Sequence, residues 1–497
     1  MSTCTKNCNI VEVILAQAAQ CPAAPALILR NQVLSFRELT LAINHLASVL
    51  LDAGVQQGQV VGISMGQTPQ HLMTQLALAQ IGAVSLPVHA MISAQRRQLA
   101  ATRFDAAWIV SGREEMRLDG LPFINLDPTR KLMPNETLTP VAQVDANTPF
   151  RIALSSGTSG DPKGVMFSHG YMLDRMTKTN YACNPLSRIV VMDLNFAIGF
   201  VFAIGMLAAG GAVIFPASSS AMDLAMAVNA HAATHWLLSP AQAKEIARLL
   251  MEDGIHFPTL EHLRIVGSTP DAKLMRTLKA RFSANVFVPY GSTEMGPISI
   301  ATPEILSDHP DCAGRLFPWA KAEIVNEKDQ PLLYGQVGRL RLRAEGMVTG
   351  YHHDEARSAE QFRDGWYYPG DQAHLSNDGL LFIDGREDDV LNVNGNKFRP
   401  ADVESVLQEH PAVVDAAALV LEEAPGRQFL TAAVIVSSPL EMAELIRFAS
   451  ERLGPMTPRH IIAMQRFPRN TTGKLLRRQL AGEVGQAMAA SSGRLLH

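Results

Sequence analysis

The chain has 497 residues, 47% apolar and 18% charged, which is enough to bury large cores and excludes a disordered polypeptide. A formal net charge of −4 with no long run of Lys or Arg argues against a nucleic-acid partner. Five scattered cysteines (Cys4, Cys8, Cys21, Cys183 and Cys312) argue against a disulfide framework and fit a reducing, cytoplasmic setting.

Glu12 interrupts the only apolar stretch near the N-terminus, so no signal peptide is expected. Length as a soft prior suggests about three domain-sized units. Helical and strand signals then alternate. "SFRELTLAINHLASVLLDAG" carries apolar residues at three-to-four spacing and ends on Gly54, a helix with a glycine stop. "QVVGISM" reads as a buried strand, "QHLMTQLALAQIG" as a helix and "AVSLPV" as a strand. The uncharged run from Phe196 to Phe215 is long enough to cross a bilayer. Gly210 and Gly211 break it, however, and no basic cluster flanks it, so it is expected to be a buried helix to Ala208, a turn and a short strand, with no membrane span. The rhythm resumes through "THWLLS", "AQAKEIARLLME", "HLRIVG" and "NVFVPYG", which implies parallel sheets covered by helices. Shorter strands and turns begin near Gly338. After "GREDD" an alternating stretch of about 110 residues suggests a small α+β domain, and the tail from "AGEVGQ" is expected to fray.

The stretch "SSGTSGDPKG", residues 155–164, is polar and glycine-rich, and its glycines and proline oppose both helix and strand. Gly157 and Gly160 allow backbone N–H groups to converge on an anion. Ser155, Ser156, Thr158 and Ser159 add hydroxyl donors, and Lys163 adds positive charge. The lysine is preceded by Pro162 and followed by Gly164, which is not the P-loop pattern of kinases and GTPases. Alone, the stretch also admits a second, less favoured reading as an exposed linker.

With three further stretches it resembles the AMP-forming adenylating superfamily of acyl- and aryl-CoA synthetases, peptide-synthetase adenylation domains and luciferases. "YGSTEMG" at 290–296 is similar to that family's second nucleotide motif, residues 365–404 to its ribose and hinge region, and "PRNTTGK" at 468–474 to the motif bearing its C-terminal lysine. The four follow one another in order over nearly the whole chain. The resemblance implies an α/β fold with a large N-terminal domain, residues 1–386, of parallel-rich sheets and a distorted β-barrel. It also implies a small mobile α+β domain, residues 387–497. The implied reaction is attack of a carboxylate on ATP to give an acyl-adenylate and pyrophosphate, followed by displacement of AMP by a thiol, commonly that of coenzyme A.

The resemblance assigns roles residue by residue. Thr158 and Lys163 hold the outer phosphates. Tyr290 stacks on the adenine, Gly291 and Ser292 belong to the same nucleotide-binding stretch, and Thr293 donates to the α-phosphate. Glu294 helps to hold Mg²⁺, Asp371 accepts from the ribose, and Arg386 lies beside ribose and phosphate. Lys474 bridges the acid and the α-phosphate. Asp388 is the hinge, and Gly395 faces the thiol in the second pose. Phe196, Ala197 and Gly267 line the acyl pocket. Pro369 stands where the family usually has Thr, and Asp402 where it usually has Glu. The peptide-synthetase aspartate for a substrate ammonium is here Ala197, which disfavours an α-amino acid and favours an apolar or aromatic acid, unless the alignment slips and Asp193 serves. Expected partners are a small carboxylic acid, including fatty acids, with ATP and coenzyme A, for a monomer or homodimer. A separate acyl or peptidyl carrier protein is the alternative acceptor. A luciferase-like oxygenase and an inactive nucleotide-binding scaffold are remoter readings.

Overall fold

The structure, a computed structural model, describes residues 8–126, 138–156, 162–179, 183–253, 256–268, 270–283, 285–387, 391–393, 396–424, 427–469 and 475–492. Two sheets dominate. In the six-stranded sheet, Phe123–Asn125, Ala106–Ser111, Val60–Ile63, Val84–Pro87 and Pro149–Ser156 run parallel, and Pro162–Ser168 closes the edge as an antiparallel hairpin partner.

The fifteen-stranded sheet changes character along its path. One half is parallel through Pro25–Leu29, Ala212–Phe215, Arg188–Val190, His235–Leu238, His262–Ile265 and Val286–Ser292. From Val286–Ser292 onward every pairing is antiparallel, through Gly296–Ala301, Gly314–Leu316, Leu380–Arg386 and Asp371–Leu375. Strands buried on both faces need helices on both sides, which accounts for the near-continuous apolar runs of the parallel half.

Helix Phe36–Asp52 shows how local sequence sets an element. Ser35 and Glu38 form a reciprocal capping box, and Leu39, Ile43, Leu46 and Leu50 bury one stripe against helix Pro69–Gln80. The long uncharged run divides as expected into helix Ala197–Ala208 and strand Ala212–Phe215, with Gly210 at φ +83° between them. Among the described residues no helix is long and apolar enough to cross a membrane.

The C-terminal region has its own three-stranded sheet, Val413–Ala424, Arg427–Val436 and His460–Ala463. Helices Pro400–Glu409 and Met442–Leu453 cover one face. The expectation of a fraying tail is corrected in part: Arg477–Ser492 is a helix, because Leu480 and Val484 bury against Ala417 and Leu419 on the other face. Cys21, Cys183 and Cys312 are free thiols, whereas Cys8 is disulfide-bonded, which the scattered spacing does not predict.

Candidate active site

The carboxyl ends of the parallel strands open on a cavity of about 840 Å³ where the large sheet turns antiparallel. Open α/β sheets bind ligands at such a place, because loops diverge there and leave a crevice. The walls bring together residues from 154 to 387.

The glycine-rich stretch enters this site from the edge of the smaller sheet. Its ends are more regular than the composition suggests: Ser155 pairs with Lys163 and Ser156 with Pro162 in the hairpin ladder. That corrects the expectation that no strand could form there. Pro162 is tolerated because it is the first residue of its strand. Gly164 is needed because a Cβ there would lie 2.4 Å from the Phe104 ring. Gly157, Thr158, Ser159 and Gly160 lie outside the described residues, as do Asp388, Gly395 and Lys474.

Lys163 is the stretch's described cation. Its Nζ donates to Gln361 Oε1 at 3.2 Å and lies 5.0 Å from the centre of the Tyr351 ring. Burial lowers its pKa below that of an ordinary lysine, and the nearby Glu294 partly offsets this.

"YGSTEMG" forms the end of one strand and the turn into the next. Tyr290 donates from its hydroxyl to Asp371 Oδ2 at 2.5 Å, and burial followed by the Asp371 charge raises its pKa well above the ordinary value. It is a neutral donor. Arg386 lies opposite Asp371 in the ladder and donates from Nη1 to Asp371 Oδ1 at 3.1 Å and to the Pro369 carbonyl at 2.7 Å. Asp371, expected to accept from the ribose hydroxyls, already accepts from two protein donors that fix its plane. Pro369 loses an N–H relative to threonine, yet its carbonyl holds the arginine.

The turn at Thr293 and Glu294 is held from behind by residues that sequence reasoning missed. Buried Arg175 donates from Nη2 to the Thr293 carbonyl at 3.0 Å, and the Tyr171 hydroxyl donates to the same carbonyl at 3.0 Å. Gly296, at φ +78°, leaves room for this, since a Cβ would meet Arg175 Nη1 at 2.4 Å. Burial lowers the Arg175 pKa to about 9, against a smaller upward pull from Glu294. Glu294 itself is 5% exposed, and its Oε1 accepts from the Tyr351 hydroxyl at 2.8 Å. Tyr351 also contacts Gln361.

Phe196, also on the cavity wall, occupies the N-cap position of helix Ala197–Ala208 without a side-chain capping bond. This helix supplies Ala197, Ile198, Val201 and Phe202 to the wall, facing Val266 and Gly267 from the adjoining strand end. The expected pocket residues Phe196, Ala197 and Gly267 do meet there. Asp193 is turned to other partners: Oδ2 meets His89 Nε2 at 2.8 Å, and Oδ1 accepts from Asn195 N and Nδ2 at 2.8 and 2.7 Å. Burial alone would raise its pKa, but His89 and Asn195 together bring it below the usual carboxylate range. Arg264 also lines the cavity, a buried cation between Leu263 and Ile265 in strand His262–Ile265. A cation flanked by two apolar residues in a short strand was a readable signal. Arg175 and Tyr351 had none, because only tertiary contact brings them to Thr293 and Glu294.

Among the described residues no group of three or more His, Cys, Asp or Glu side chains could hold a metal ion. Glu294 offers one hard oxygen ligand near the Lys163 cation, which fits Mg²⁺, an ion bound through one or two carboxylates together with substrate phosphates.

The family model described as AMP-binding enzyme matches residues 14–352, and that described as AMP-binding enzyme C-terminal domain matches residues 402–474. A 2-succinylbenzoate–CoA ligase of Bacillus subtilis is 25% identical over 482 residues, covering 94% of this chain and 96% of that protein. An indoleacetate–CoA ligase of Aromatoleum aromaticum is 26% identical over 484 residues, covering 91% and 94% respectively. The crystal structure of an anthranilate CoA ligase in complex with anthranoyl-AMP superposes with a TM-score of 0.88 at 20% identity, covering 98% of this chain and 99% of that one.

Proposed function

The chain belongs to the AMP-binding enzyme family, and from that premise we propose that it is an ATP-dependent carboxylic acid–CoA ligase acting on an apolar or aromatic acid. The observation that carries this reading is the shared cavity, which Lys163, Glu294 and Arg386 line together with the apolar side chains of Phe196, Ala197, Val201 and Phe202.

In the first half-reaction the acid's carboxylate oxygen attacks the α-phosphorus of ATP. The P–O bond to the β-phosphate breaks, giving acyl-adenylate and pyrophosphate. In the second, a thiolate sulfur attacks the acyl carbon and AMP leaves. Neither nucleophile needs a strong base, so the protein's task is to position reactants and to neutralise developing charge. Lys163 and Thr158 take the outer phosphates, and Thr293 donates to the α-phosphate from a turn held by Arg175 and Tyr171. Asp371, oriented by Tyr290 and Arg386, accepts from the ribose. Glu294 would hold Mg²⁺, which when bound supplies positive charge to the phosphate oxygens. Lys474 would bridge the carboxylate and α-phosphate in adenylation, and rotation at Asp388 would exchange it for the loop around Gly395 before the thiol step. An α-amino acid is disfavoured, because Ala197 stands at the wall and Asp193 is engaged by His89 and Asn195.

The test is pyrophosphate release from ATP and Mg²⁺ over a panel of fatty, aryl and amino acids, with and without coenzyme A. Release with an acid, followed by its CoA thioester in the mass spectrum, is the expected result. Release without thioester would redirect the second step to a carrier-protein thiol, and release with α-amino acids alone would overturn the substrate class. The variant Lys474→Ala should lose adenylation but retain thioester formation from supplied acyl-adenylate.

A further inference from the structure

Met192 and Phe196 both line the cavity, and Asp193, Leu194 and Asn195 form a turn behind its wall. Phe196 N donates to the Asp193 carbonyl at 3.1 Å, and helix Ala197–Ala208 starts at the next residue. Phe196 gives that helix no side-chain cap, so the turn that brings Phe196 and Ala197 to the cavity needs other support.

That support comes from the smaller sheet. Arg151, fully buried in strand Pro149–Ser156, donates from Nη2 to the Leu194 carbonyl at 3.0 Å and to the Asn195 carbonyl at 3.1 Å. Its Nη1 donates to Gln75, and its guanidinium carbon lies 4.6 Å from the centre of the Phe200 ring, in the helix. Consecutive carbonyls point to opposite sides of an extended chain, so one nitrogen collects both only where the chain turns. Asp193 holds the turn through an amide: its Oδ1 accepts from Asn195 N, and its Oδ2 meets His89 Nε2. The other ring nitrogen of His89 accepts from Met91 N at 3.0 Å, which leaves Nε2 as the donor to Asp193. Burial lowers the Arg151 pKa to about 9, and the Asp193 charge pulls it back up. A cation on the carbonyls and an anion on an amide thus grip one short turn, where low dielectric strengthens both contacts.

We propose that Arg151 is a positioning residue for the acyl pocket: by holding the Leu194 and Asn195 carbonyls it sets where Phe196 and Ala197 stand, and with them which acids the pocket admits. This rests on the ligase reading and assigns part of its substrate discrimination to a side chain behind the wall. The ladder of strand Pro149–Ser156, with Arg151 opposite Phe167 and Ser155 opposite Lys163, is made by backbone and does not depend on the guanidinium. Arg151 therefore governs the acid and not the nucleotide.

The experiment measures pyrophosphate release by the full chain over benzoic acids whose para substituent grows from hydrogen to butyl, and over straight-chain acids of increasing length. Acid and ATP are titrated separately. The native chain should show a sharp optimum, with kcat/KM falling about tenfold or more within one or two methylenes beyond it. In Arg151→Met both carbonyls lose their donor and the turn relaxes, so the optimum should flatten. KM for the best acid should rise about tenfold or more, the loss of one charge-assisted contact, while KM for ATP stays within about twofold. Arg151→Lys, whose ammonium ends one bond short of Nη2, should lie between the two and carries the test where Arg151→Met does not fold. A flat profile in the native chain overturns the inference and leaves the ligase reading intact, whether or not either variant folds. A variant with lowered thermal stability but the native acid profile and acid KM overturns it as well, as does a KM for ATP that rises in step with that for the acid. No pyrophosphate with any acid overturns both readings.

Discussion

Tyr351 lies 57 residues from Glu294 in sequence, yet its hydroxyl donates to Glu294 Oε1 at 2.8 Å in a buried setting. Its ring also seats the Lys163 ammonium at 5.0 Å. The substitution Tyr351→Phe separates these two roles, since it removes the donor and keeps the ring. A hydrogen bond to a charged group is worth about 1.5–3 kcal/mol, and each 1.4 kcal/mol is about tenfold. If the bond aims the carboxylate at its ligand, kcat/KM for pyrophosphate release should fall about ten- to hundredfold, with more Mg²⁺ needed for half-saturation. Tyr351→Leu removes the ring as well and adds a cavity, so it should lose further activity and thermal stability. A double-mutant cycle gives the decisive reading: if Tyr351 acts through Glu294, then Glu294→Gln and the double variant should have nearly the same activity. A Tyr351→Phe enzyme within about twofold of the native rate and with unchanged Mg²⁺ dependence would refute the reasoning, because a bond worth about 1 kcal/mol or more cannot vanish from both readouts.

Three further outcomes follow from the same geometry. His71 is fully buried with its pKa lowered to about 4 by burial first, so the folded state resists a proton that the unfolded state takes near the ordinary value of about 6.5. Stability is therefore full above pH ~6.5 and declines as pH falls toward 4, by about 3 kcal/mol for this group; a His71→Gln variant that folds should show a shallower acid limb in thermal melts, and an unchanged limb would contradict this. Lys163 is also held below its ordinary value by burial, so kcat/KM for adenylation should fall on the alkaline side at a lower pH than an exposed lysine would give, and Lys163→Arg should move that limb upward. A limb that stays in place in Lys163→Arg would assign the titration to another group. Gly296→Ala should lower thermal stability by about 1 kcal/mol or more, since the new methyl meets positive φ and the Arg175 guanidinium together. A melt indistinguishable from that of the native chain would show that the turn relaxes freely.

Much of the molecule was legible in local sequence. Apolar periodicity and capping chemistry located the helices and strands of the parallel half, because burial of one stripe and satisfaction of end groups are decided within a few residues. Ser35 and Glu38 carry their own cap, and Gly210 divides the long apolar run. The motif residues Lys163, Tyr290, Glu294 and Arg386 reach one cavity, since they stand at strand ends whose order the alternation implies. Local composition misjudged two places for the same reason. The edges of the glycine-rich stretch became strand through pairing across the hairpin, and the tail became helix by burying Leu480 and Val484 on a distant sheet. What only tertiary structure decided is which side chains complete the site. Arg175 and Tyr171 grip the Thr293 carbonyl across more than a hundred residues of chain, Tyr351 holds Glu294, and Asp371 is pinned by Tyr290 and Arg386 before any nucleotide arrives. Whether Arg264 faces solvent, core or cavity is likewise settled by the sheet and helix packed around it, because a strand's alternation fixes opposite faces but not what each face meets.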